Sequence, residues 1–394
     1  MDQNSLNTQP TSSVNYSGLS GNELYCARLL GFTPGDLVIG NSVFSMGLIG
    51  SLRANVKTFI GGELTAVTNM IAEGRRLSFD RFQQELANGG GTGALGVSNE
   101  LVFHPGNAEF LSVGSIVHSA QDRQFQAFTT SSDGQELFCQ WDAGYQPLSF
   151  VFGNVAYSIG AAKGVMGSFR QLAKGEVKQY SDIFNTTRNL ALNRICQEAQ
   201  AKGANSVVGI KTSILPVQTD AVHEMVMIGT ASLNPAVNEL AAATGGITSS
   251  DLTAEETWNI TQLGYAPVKL LLGTSVYSLG FVGGIKAGFG NLVKGEIKAL
   301  TDLIYGAREE SLKKVKAQAE EINADDVLGI KTYIYDLGGG LIEFLAIGTA
   351  VKKIDGLSSR SQQLPAQAII RDKDTFFNTA DMVYGVDLQR AKPN

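Results

Sequence analysis

The motif that decides the fold occurs three times in the chain. It reads GNSVFSMG at Gly40–Gly47, GNVAYSIG at Gly153–Gly160 and GTSVYSLG at Gly273–Gly280, so the copies begin 113 and then 120 residues apart. The same two offsets align Gly96 with Gly209 and Gly329. This period is longer than the roughly 20–50 residues of solenoid repeats. Each copy is therefore long enough to be a domain with its own core.

Each copy begins with the signals of a short helix. An N-cap side chain is followed three residues later by glutamate, a capping box in which side chains and backbone N–H groups satisfy each other. Eleven residues after each cap comes a glycine suited to the left-handed position that ends a helix, and a proline three residues further on prevents continuation. The three sets are Ser20, Glu23, Gly31 and Pro34; Asp133, Glu136, Gly144 and Pro147; and Thr253, Glu256, Gly264 and Pro267.

The rest of each copy predicts a strand, a long helix and a hairpin. The apolar run that contains the motif is too continuous for a half-exposed strand, so we expect it to be covered on both faces in every copy. In copy two, apolar residues from Phe169 to Ala199 recur at spacings of three and four, which is typical of one helix face. Gly175 interrupts that pattern and is predicted to divide a short helix from a long one. Two runs with the residue pattern of β-strands follow and predict a β-hairpin.

These patterns divide the chain into segments. We predict a disordered N-terminus at 1–19, three domains at 20–120, 133–235 and 253–354, and a C-terminal tail at 355–394. A polar connector joins the first two domains at 121–132. A short helix with a flexible Gly/Ser linker occupies 236–252. We expect the tail to dock on the body of the protein rather than on a partner.

Composition limits the function. The 394 residues carry 31 basic and 37 acidic side chains, so nucleic acid is not an expected partner. Three cysteines without Cys-x-x-Cys spacing indicate a reducing compartment, and the polar N-terminus lacks the apolar run of a secretory signal. No run reaches about 18 uninterrupted apolar residues. We therefore expect a cytoplasmic protein without membrane insertion.

The chain resembles the YbjQ-like family, which is labelled as a heavy-metal-binding domain. The resemblance rests on the motif above, on the Gly-Gly-Glu or Lys-Gly-Glu turn before the long helix, and on the stretch Gly203–Ile210. It implies an α+β fold class: three tandem domains, each a split helix packed on a small, mainly antiparallel sheet, the unit of a β/α-propeller-type oligomer. The resemblance also implies assembly into pentameric rings, as for single-domain members of the family. The implied partner is therefore the protein itself, as a homo-oligomer.

Carboxylates are the candidate metal ligands, because they recur in every copy. No histidine of one copy recurs in another. The cysteines Cys26 and Cys139 are replaced by Asn259 in copy three, so we interpret these cysteines as structural. Two glutamates per copy could bind a hard cation, but a helix-dipole contact or a cross-strand pair with Lys211 or Lys331 explains them better. The six candidates are Glu63, Glu176, Glu296, Glu109, Glu224 and Glu343.

No catalytic motif is present. The chain has no Walker sequence, no Gly-x-Ser-x-Gly and no His-Glu-x-x-His. The sequence therefore favours a non-enzymatic protein without a cofactor that self-associates through its repeated units, as a pentamer of three stacked rings with one copy per ring. A protein that binds or senses a divalent metal through the repeated glutamates is the alternative, and a small-molecule enzyme is the third.

Overall fold

The structure is a computed structural model of the chain. It describes residues 14–45, 62–119, 127–158, 175–217, 219–278, 298–338 and 341–368. Three sheets, each with a long helix, follow one another along the chain, so the α+β class and the three repeated units predicted from the sequence are confirmed.

The first unit, domain 1, has the predicted order of helix, strand, helix and hairpin. Its sheet is antiparallel, with β3 between β1 and β2. The elements are α1 (Gly21–Leu29), β1 (Phe32–Ser45), α2 (Thr65–Asn88), β2 (Gly93–His104) and β3 (Asn107–Ser119).

Domain 2 repeats this order. Its antiparallel sheet has β8 between β5 and β7. The elements from the first connector to the second are β4 (Phe128–Thr129), α3 (Gly134–Asp142), β5 (Gln146–Ser158), β6 (Gly175–Glu176), α4 (Lys178–Ala201), β7 (Ser206–Val217), β8 (Thr219–Leu233) and α5 (Asn238–Ala243).

Domain 3 has the same antiparallel core, with β12 between β10 and β11. Its elements are β9 (Thr248–Ser249), α6 (Ala254–Gln262), β10 (Tyr265–Ser278), α7 (Lys298–Glu321), β11 (Asp326–Gly338) and β12 (Leu341–Lys353), followed by a 3-10 turn at Ala366–Ala368. Among the described helices, none is both long and apolar enough to cross a membrane.

The predicted helix signals are confirmed in all three domains. Ser20, Asp133 and Thr253 each cap a helix with a complete capping box. The glycines that follow have φ of 85°, 94° and 81° at Gly31, Gly144 and Gly264, the left-handed region that a side chain disfavours. The long helix of domain 2 begins at Lys178, three residues after Gly175. The predicted short helix before Gly175 lies outside the described residues.

Each long helix packs closely on the motif strand of its own domain. A Cβ atom added to the motif glycine would lie 2.1 to 2.2 Å from a backbone carbonyl of the helix. Because no real Cβ approaches backbone this closely, only glycine permits the helix to lie here. The glycine–carbonyl pairs are Gly40 with Ser78, Gly153 with Ala191 and Gly273 with Ser311.

The connectors are part of the sheets, which differs from the predicted polar and flexible linkers. β4 pairs in parallel with β2 of domain 1, and β9 pairs in parallel with β7 of domain 2. Residues Ile247 to Leu252 are buried, so the predicted flexibility of this linker is wrong, although its short helix is confirmed as α5. The linker is fixed because its backbone supplies hydrogen bonds to the edge of the preceding sheet.

Burial of the motif strand differs between domains. β5 and β10 are covered on both faces as predicted, but β1 alternates between buried and exposed residues, so the prediction is wrong for domain 1. The burial differs because α2 covers β5 and α4 covers β10. Among the described residues, no helix of a preceding domain covers β1. The hydrophobic cores accordingly cross the domain boundaries.

The described part of the tail docks on the opening helices. Leu364 and Ala368 are buried in one cluster with Cys26, Cys139 and Trp258. The Asp142 carboxylate accepts hydrogen bonds from Ser361 Oγ (2.7 Å) and from Trp258 Nε1 (2.7 Å). The tail up to Ala368 thus docks on the body as expected. The tail residues Phe376, Phe377 and Tyr384 lie outside the described residues.

Candidate functional site

The most distinctive site in the molecule is the interface between consecutive domains, which occurs twice in the same form. In the first interface the Ala156 N–H of β5 donates to Thr68 Oγ1 of α2 (2.9 Å), and the Leu64 N–H donates to the Ala156 carbonyl (2.8 Å). In the second, the Val276 N–H donates to Ser181 Oγ (2.8 Å) and the Val177 N–H donates to the Val276 carbonyl (2.8 Å). The start of each long helix is thereby tied to the next domain's motif strand.

A buried ion pair lies at the centre of the first interface. Arg75 of α2 and Glu224 of β8 form a bidentate pair, with Nη2–Oε2 at 2.7 Å and Nε–Oε1 at 3.2 Å. Both side chains are fully buried. Asn154 donates to the same carboxylate at 3.0 Å, and Arg75 Nη1 donates to Asn99 Oδ1 at 2.7 Å. Such extra hydrogen bonds are what a buried ion pair needs to offset its desolvation.

The second interface repeats the pair. Arg188 of α4 donates to Glu343 of β12, with Nη2–Oε2 at 2.7 Å and Nε–Oε1 at 3.1 Å, and both side chains are fully buried. The guanidinium also stacks over the Tyr157 ring at 4.3 Å. Burial acts to lower the pKa of Arg188, but the Glu343 carboxylate and Tyr157 together outweigh burial and raise it. The arginine is therefore charged at every accessible pH.

A second, more exposed ion pair flanks each buried one. Glu63, just before α2, pairs with Arg194 of α4 at 2.8 Å. Glu176, just before α4, pairs with Lys314 of α7 at 2.9 Å. Burial acts to raise the pKa of Glu176, but hydrogen bonds from Lys314 and Ser181 outweigh it, and the pKa is lowered. Each interface thus has two charge pairs of opposite direction, which fix its register.

Apolar contacts complete the interface. Phe79 of α2 packs on Phe150 of β5 with ring centroids 5.3 Å apart. The largest core cluster likewise joins α4 residues such as Leu192 and Ile195 to Leu270 and Leu272 of domain 3. One face of α2 and of α4 therefore packs on the sheet of its own domain and the other face on the next domain.

Four of the six predicted glutamates take part in the interfaces. Glu63 and Glu176 form the flanking pairs, and Glu224 and Glu343 form the buried pairs. Glu296 lies outside the described residues. The interpretation that Glu224 and Glu343 pair across their hairpins with lysine is wrong: Lys211 contacts Glu136 and Lys331 contacts Asp251. In the observed register Glu224 is opposite Leu215, so the lysine is out of reach.

Glu109 is equivalent to Glu224 and Glu343 by strand register, but it lies at the surface. It is opposite Val43 on β1, as Glu224 is opposite Ala156 and Glu343 is opposite Val276. Its carboxylate lies 2.9 Å from His104 Nε2. Hydrogen bonds from His104 and then Asn41 lower the pKa of Glu109.

The described residues contain no group of three or more His, Cys, Asp or Glu side chains placed to hold a metal ion. The three cysteines are free thiols. Burial raises the pKa of Cys26 to about 11 and that of Cys139 to about 12. Because the thiolate is the form that binds metal, these two side chains are poor ligands at neutral pH.

A cavity of about 230 Å³ lies between domains 1 and 2. Its lining includes Phe32, Phe128, Trp141 and Leu148, with Lys202 as its charged member. A catalytic pocket combines a nucleophile, a base and an oriented partner. The lining of this cavity does not supply such a set.

The sequence analysis missed the arginines that organise the interfaces. Arg75, Arg188 and Arg308 are 113 and then 120 residues apart, the same offsets that align the motif glycines. A mid-helix arginine repeated at the domain period was therefore visible in the sequence. It could not be paired with a glutamate, because the pairs connect different domains.

Comparison with known proteins agrees with this repeat structure. The model of the YbjQ family, described as "Putative heavy-metal-binding", matches residues 34–113, 144–234 and 259–354. The encapsulin nanocompartment protein Rv1762c of Mycobacterium tuberculosis is 31% identical over 208 residues, which cover 50% of this chain and 77% of that protein. A UPF0145 protein of Pseudothermotoga lettingae is 36% identical over 92 residues, or 23% of this chain and 86% of that protein. The chain therefore belongs to the YbjQ family, with three tandem copies of its domain.

Proposed function

We propose that this protein is a non-enzymatic, self-assembling structural protein, in which three YbjQ domains form consecutive units of a head-to-tail assembly. The observation that carries the proposal is the difference between the first motif strand and its two repeats. Leu37, Ile39 and Val43 on β1 are 43%, 52% and 59% exposed.

Their equivalents in domains 2 and 3 lie under the helix of the preceding domain. Ala156 and Val276, which stand where Val43 stands in domain 1, are both fully buried. Leu272, which stands at the position of Ile39, is also fully buried. An apolar strand face of this kind, left open at the end of a repeated array, is typical of a surface that another unit covers.

The relatives support the same proposal. The Mycobacterium relative is named as an encapsulin nanocompartment protein, which is a name for an assembly, and the UPF0145 relatives carry no named activity. The predicted domain limits, 20–120, 133–235 and 253–354, serve here as the proposed units of assembly, and the connector strands β4 and β9 lie between them.

We favour units placed side by side over three stacked rings. A stack with one domain per ring needs the helix face and the sheet face of every domain to be free for other chains. In this protein α2 and α4 have their outer faces on the next domain of the same chain. One chain therefore supplies three successive positions of an array.

The solution mass tests the proposal. We expect light scattering behind gel filtration at micromolar concentration to give a particle heavier than the 41.9 kDa chain. A monodisperse species of 41.9 kDa would refute self-assembly.

A further inference from the structure

We propose that the exposed face of α7 in domain 3 binds the exposed face of the domain 1 sheet in a second copy of this chain, with Arg308 pairing with Glu109 of that copy. This inference rests on the proposed self-assembly and identifies the surfaces through which two copies contact each other. The two interfaces inside the chain serve as its template.

The charge pair is the first argument. Arg308 occupies on α7 the position of Arg75 on α2 and of Arg188 on α4, both fully buried against a glutamate of the next domain. Arg308 itself is exposed. Glu109 occupies the position of Glu224 and Glu343, and its side chain is 26% exposed. One chain thus has an exposed arginine on domain 3 and its cognate glutamate on domain 1.

The surfaces around this pair also match their buried counterparts. Thr301 is exposed on α7 at the position where Thr68 and Ser181 accept a backbone N–H from the next domain's motif strand. The corresponding donor would be the N–H of Val43. Leu312 stands at the position of Phe79, whose ring packs on Phe150. The position of Phe150 on β1 is Leu37, which is exposed.

The sheet edges give an independent argument. In domains 1 and 2 the following connector adds a parallel strand to β2 and to β7, and the Val97 and Ile210 N–H groups donate to Thr130 and Ser250. In domain 3, β11 is the edge strand of the described sheet. Ile330, the counterpart of Val97 and Ile210, is 48% exposed, whereas those two are 2% and 3% exposed.

The residues that would cover this edge lie at the other end of the chain. Tyr16 and Ser17 stand at the repeat positions of Thr129 and Thr130 in the first connector. The Tyr16 carbonyl accepts the Leu37 N–H, so the segment is held along β1. Tyr16 in this segment is 79% exposed. A second copy would therefore add its residues 15–17 to β11 as a parallel strand, by β-augmentation.

Both halves of the missing interface are on one chain, which identifies the partner as another copy. Because the contact joins two different surfaces, it is heterologous and continues from copy to copy until a ring closes or a filament forms. The exposed pair becomes buried on assembly, so reversing either charge leaves two like charges facing each other without water.

The test is a charge exchange in the full-length protein. Arg308→Glu and Glu109→Arg should each weaken association at least 30-fold, the effect expected when one partner of a buried pair is lost. Mixing the two variants should restore assembly, since copies of the two variants that alternate join opposite charges at every contact. The double variant Arg308→Glu/Glu109→Arg should assemble alone. Lys313→Glu is the control, because its counterpart Asn193 is exposed in the internal interface.

Each outcome of mass photometry or light scattering distinguishes the two proposals. Monomeric single variants with recovery on mixing would support this interface, and the recovery excludes misfolding as the cause. A wild-type assembly that both single variants retain would overturn the Arg308–Glu109 contact and leave self-assembly standing. A monomeric wild type would overturn both.

Discussion

Arg75 and Glu224 are 149 residues apart in the chain, yet their side chains meet at 2.7 Å in the interior, between two domains. Arg188 and Glu343 repeat this relationship between the next two. An unpaired charge in the interior is costly. Separating the domains would break both ion pairs and leave the arginine and glutamate side chains without their partners. The three domains are therefore expected to unfold together rather than one at a time.

The first prediction concerns the buried pair of the second interface. Arg188→Met leaves Glu343 buried without a cation, and we expect the free energy of unfolding to fall by about 3–5 kcal/mol. The double variant Arg188→Met/Glu343→Leu should lose less, because no charge remains unpaired. Urea denaturation followed by circular dichroism measures both. Arg76→Met, which removes exposed ion pairs with Glu73 and Asp80, is the control and should cost under about 1 kcal/mol. Equal losses in the single and double variants would contradict the argument.

The second prediction tests the close approach of helix and strand. Gly153→Ala would place a Cβ atom 2.2 Å from the Ala191 carbonyl oxygen, so α4 must move away from β5. We expect a loss of about 1–3 kcal/mol in the free energy of unfolding, the usual cost of overpacking. Gly306→Ala is the matched control: it lies in α7 with open space around the added atom. That change should stabilise the helix by up to about 1 kcal/mol. Equal effects of the two substitutions on the melting temperature would be evidence against the packing argument.

Much of this fold could be predicted from the sequence because its signals are local. The capping boxes, the helix-ending glycines and the hairpins depend on residues a few positions apart, and they recur at the domain period. The repeat therefore predicts the opening helix, the motif strand, the long helix and the hairpin of each domain correctly, but not the short strands β4, β6 and β9.

The burial of β1 and the partners of the glutamates could not be predicted in this way. The run LVIGNSVFS at Leu37–Ser45 is as apolar as its two repeats, but a strand face is buried only where a neighbouring helix covers it. Cross-strand partners are near in sequence, so the sequence pairs Glu224 with a lysine of its own hairpin. Its real partner comes from another domain, and no pattern within one repeat contains that contact.

The third prediction concerns the tail. Asp142→Ala removes the acceptor of Ser361 Oγ, of the Ser361 N–H and of Trp258 Nε1. We expect the segment around Ser361 to be cleaved at least tenfold faster in limited proteolysis, and the Trp258 fluorescence to shift to the red as water reaches the ring. Asp355→Ala, an exposed position on the same segment, is the control. Unchanged cleavage in Asp142→Ala would show that the apolar contacts and the hydrogen bonds from Gln262 hold the tail without this carboxylate.

The fourth prediction concerns metal. Glu176 lies 2.9 Å from Lys314 Nζ, and an ammonium group at this distance competes with a cation for the carboxylate. Glu176→Gln, alone or with Glu296→Gln, should therefore leave the metal content of the purified protein unchanged. The metal content is measured by elemental mass spectrometry after incubation with Zn²⁺ and gel filtration. The comparison variant is Lys314→Met, which frees the carboxylate. Loss of stoichiometric metal in the Glu176→Gln protein would establish the glutamates as ligands.

The last prediction concerns the pH dependence of stability. Burial raises the pKa of Glu198 from its ordinary value of 4.5 to about 7, although its carboxylate accepts the Phe152 N–H at 2.9 Å. Between these two pH values the folded protein holds a proton that the unfolded chain releases, so this residue makes stability fall as pH rises from 4.5 to 7 and contributes no further change above 7. The shift corresponds to at most roughly 3 kcal/mol.

Glu198→Gln should remove this fall, because the amide does not titrate. The chain contains a precedent: Gln318 stands at the equivalent position of domain 3 and donates to the Leu272 carbonyl. The exposed Glu85, the counterpart in domain 1, provides the control, since Glu85→Gln should leave the pH profile as it is in the wild type. Denaturant unfolding at pH 5, 6, 7 and 8 measures the slopes. Parallel profiles for Glu198→Gln and the wild type would mean that Glu198 titrates normally in the folded protein.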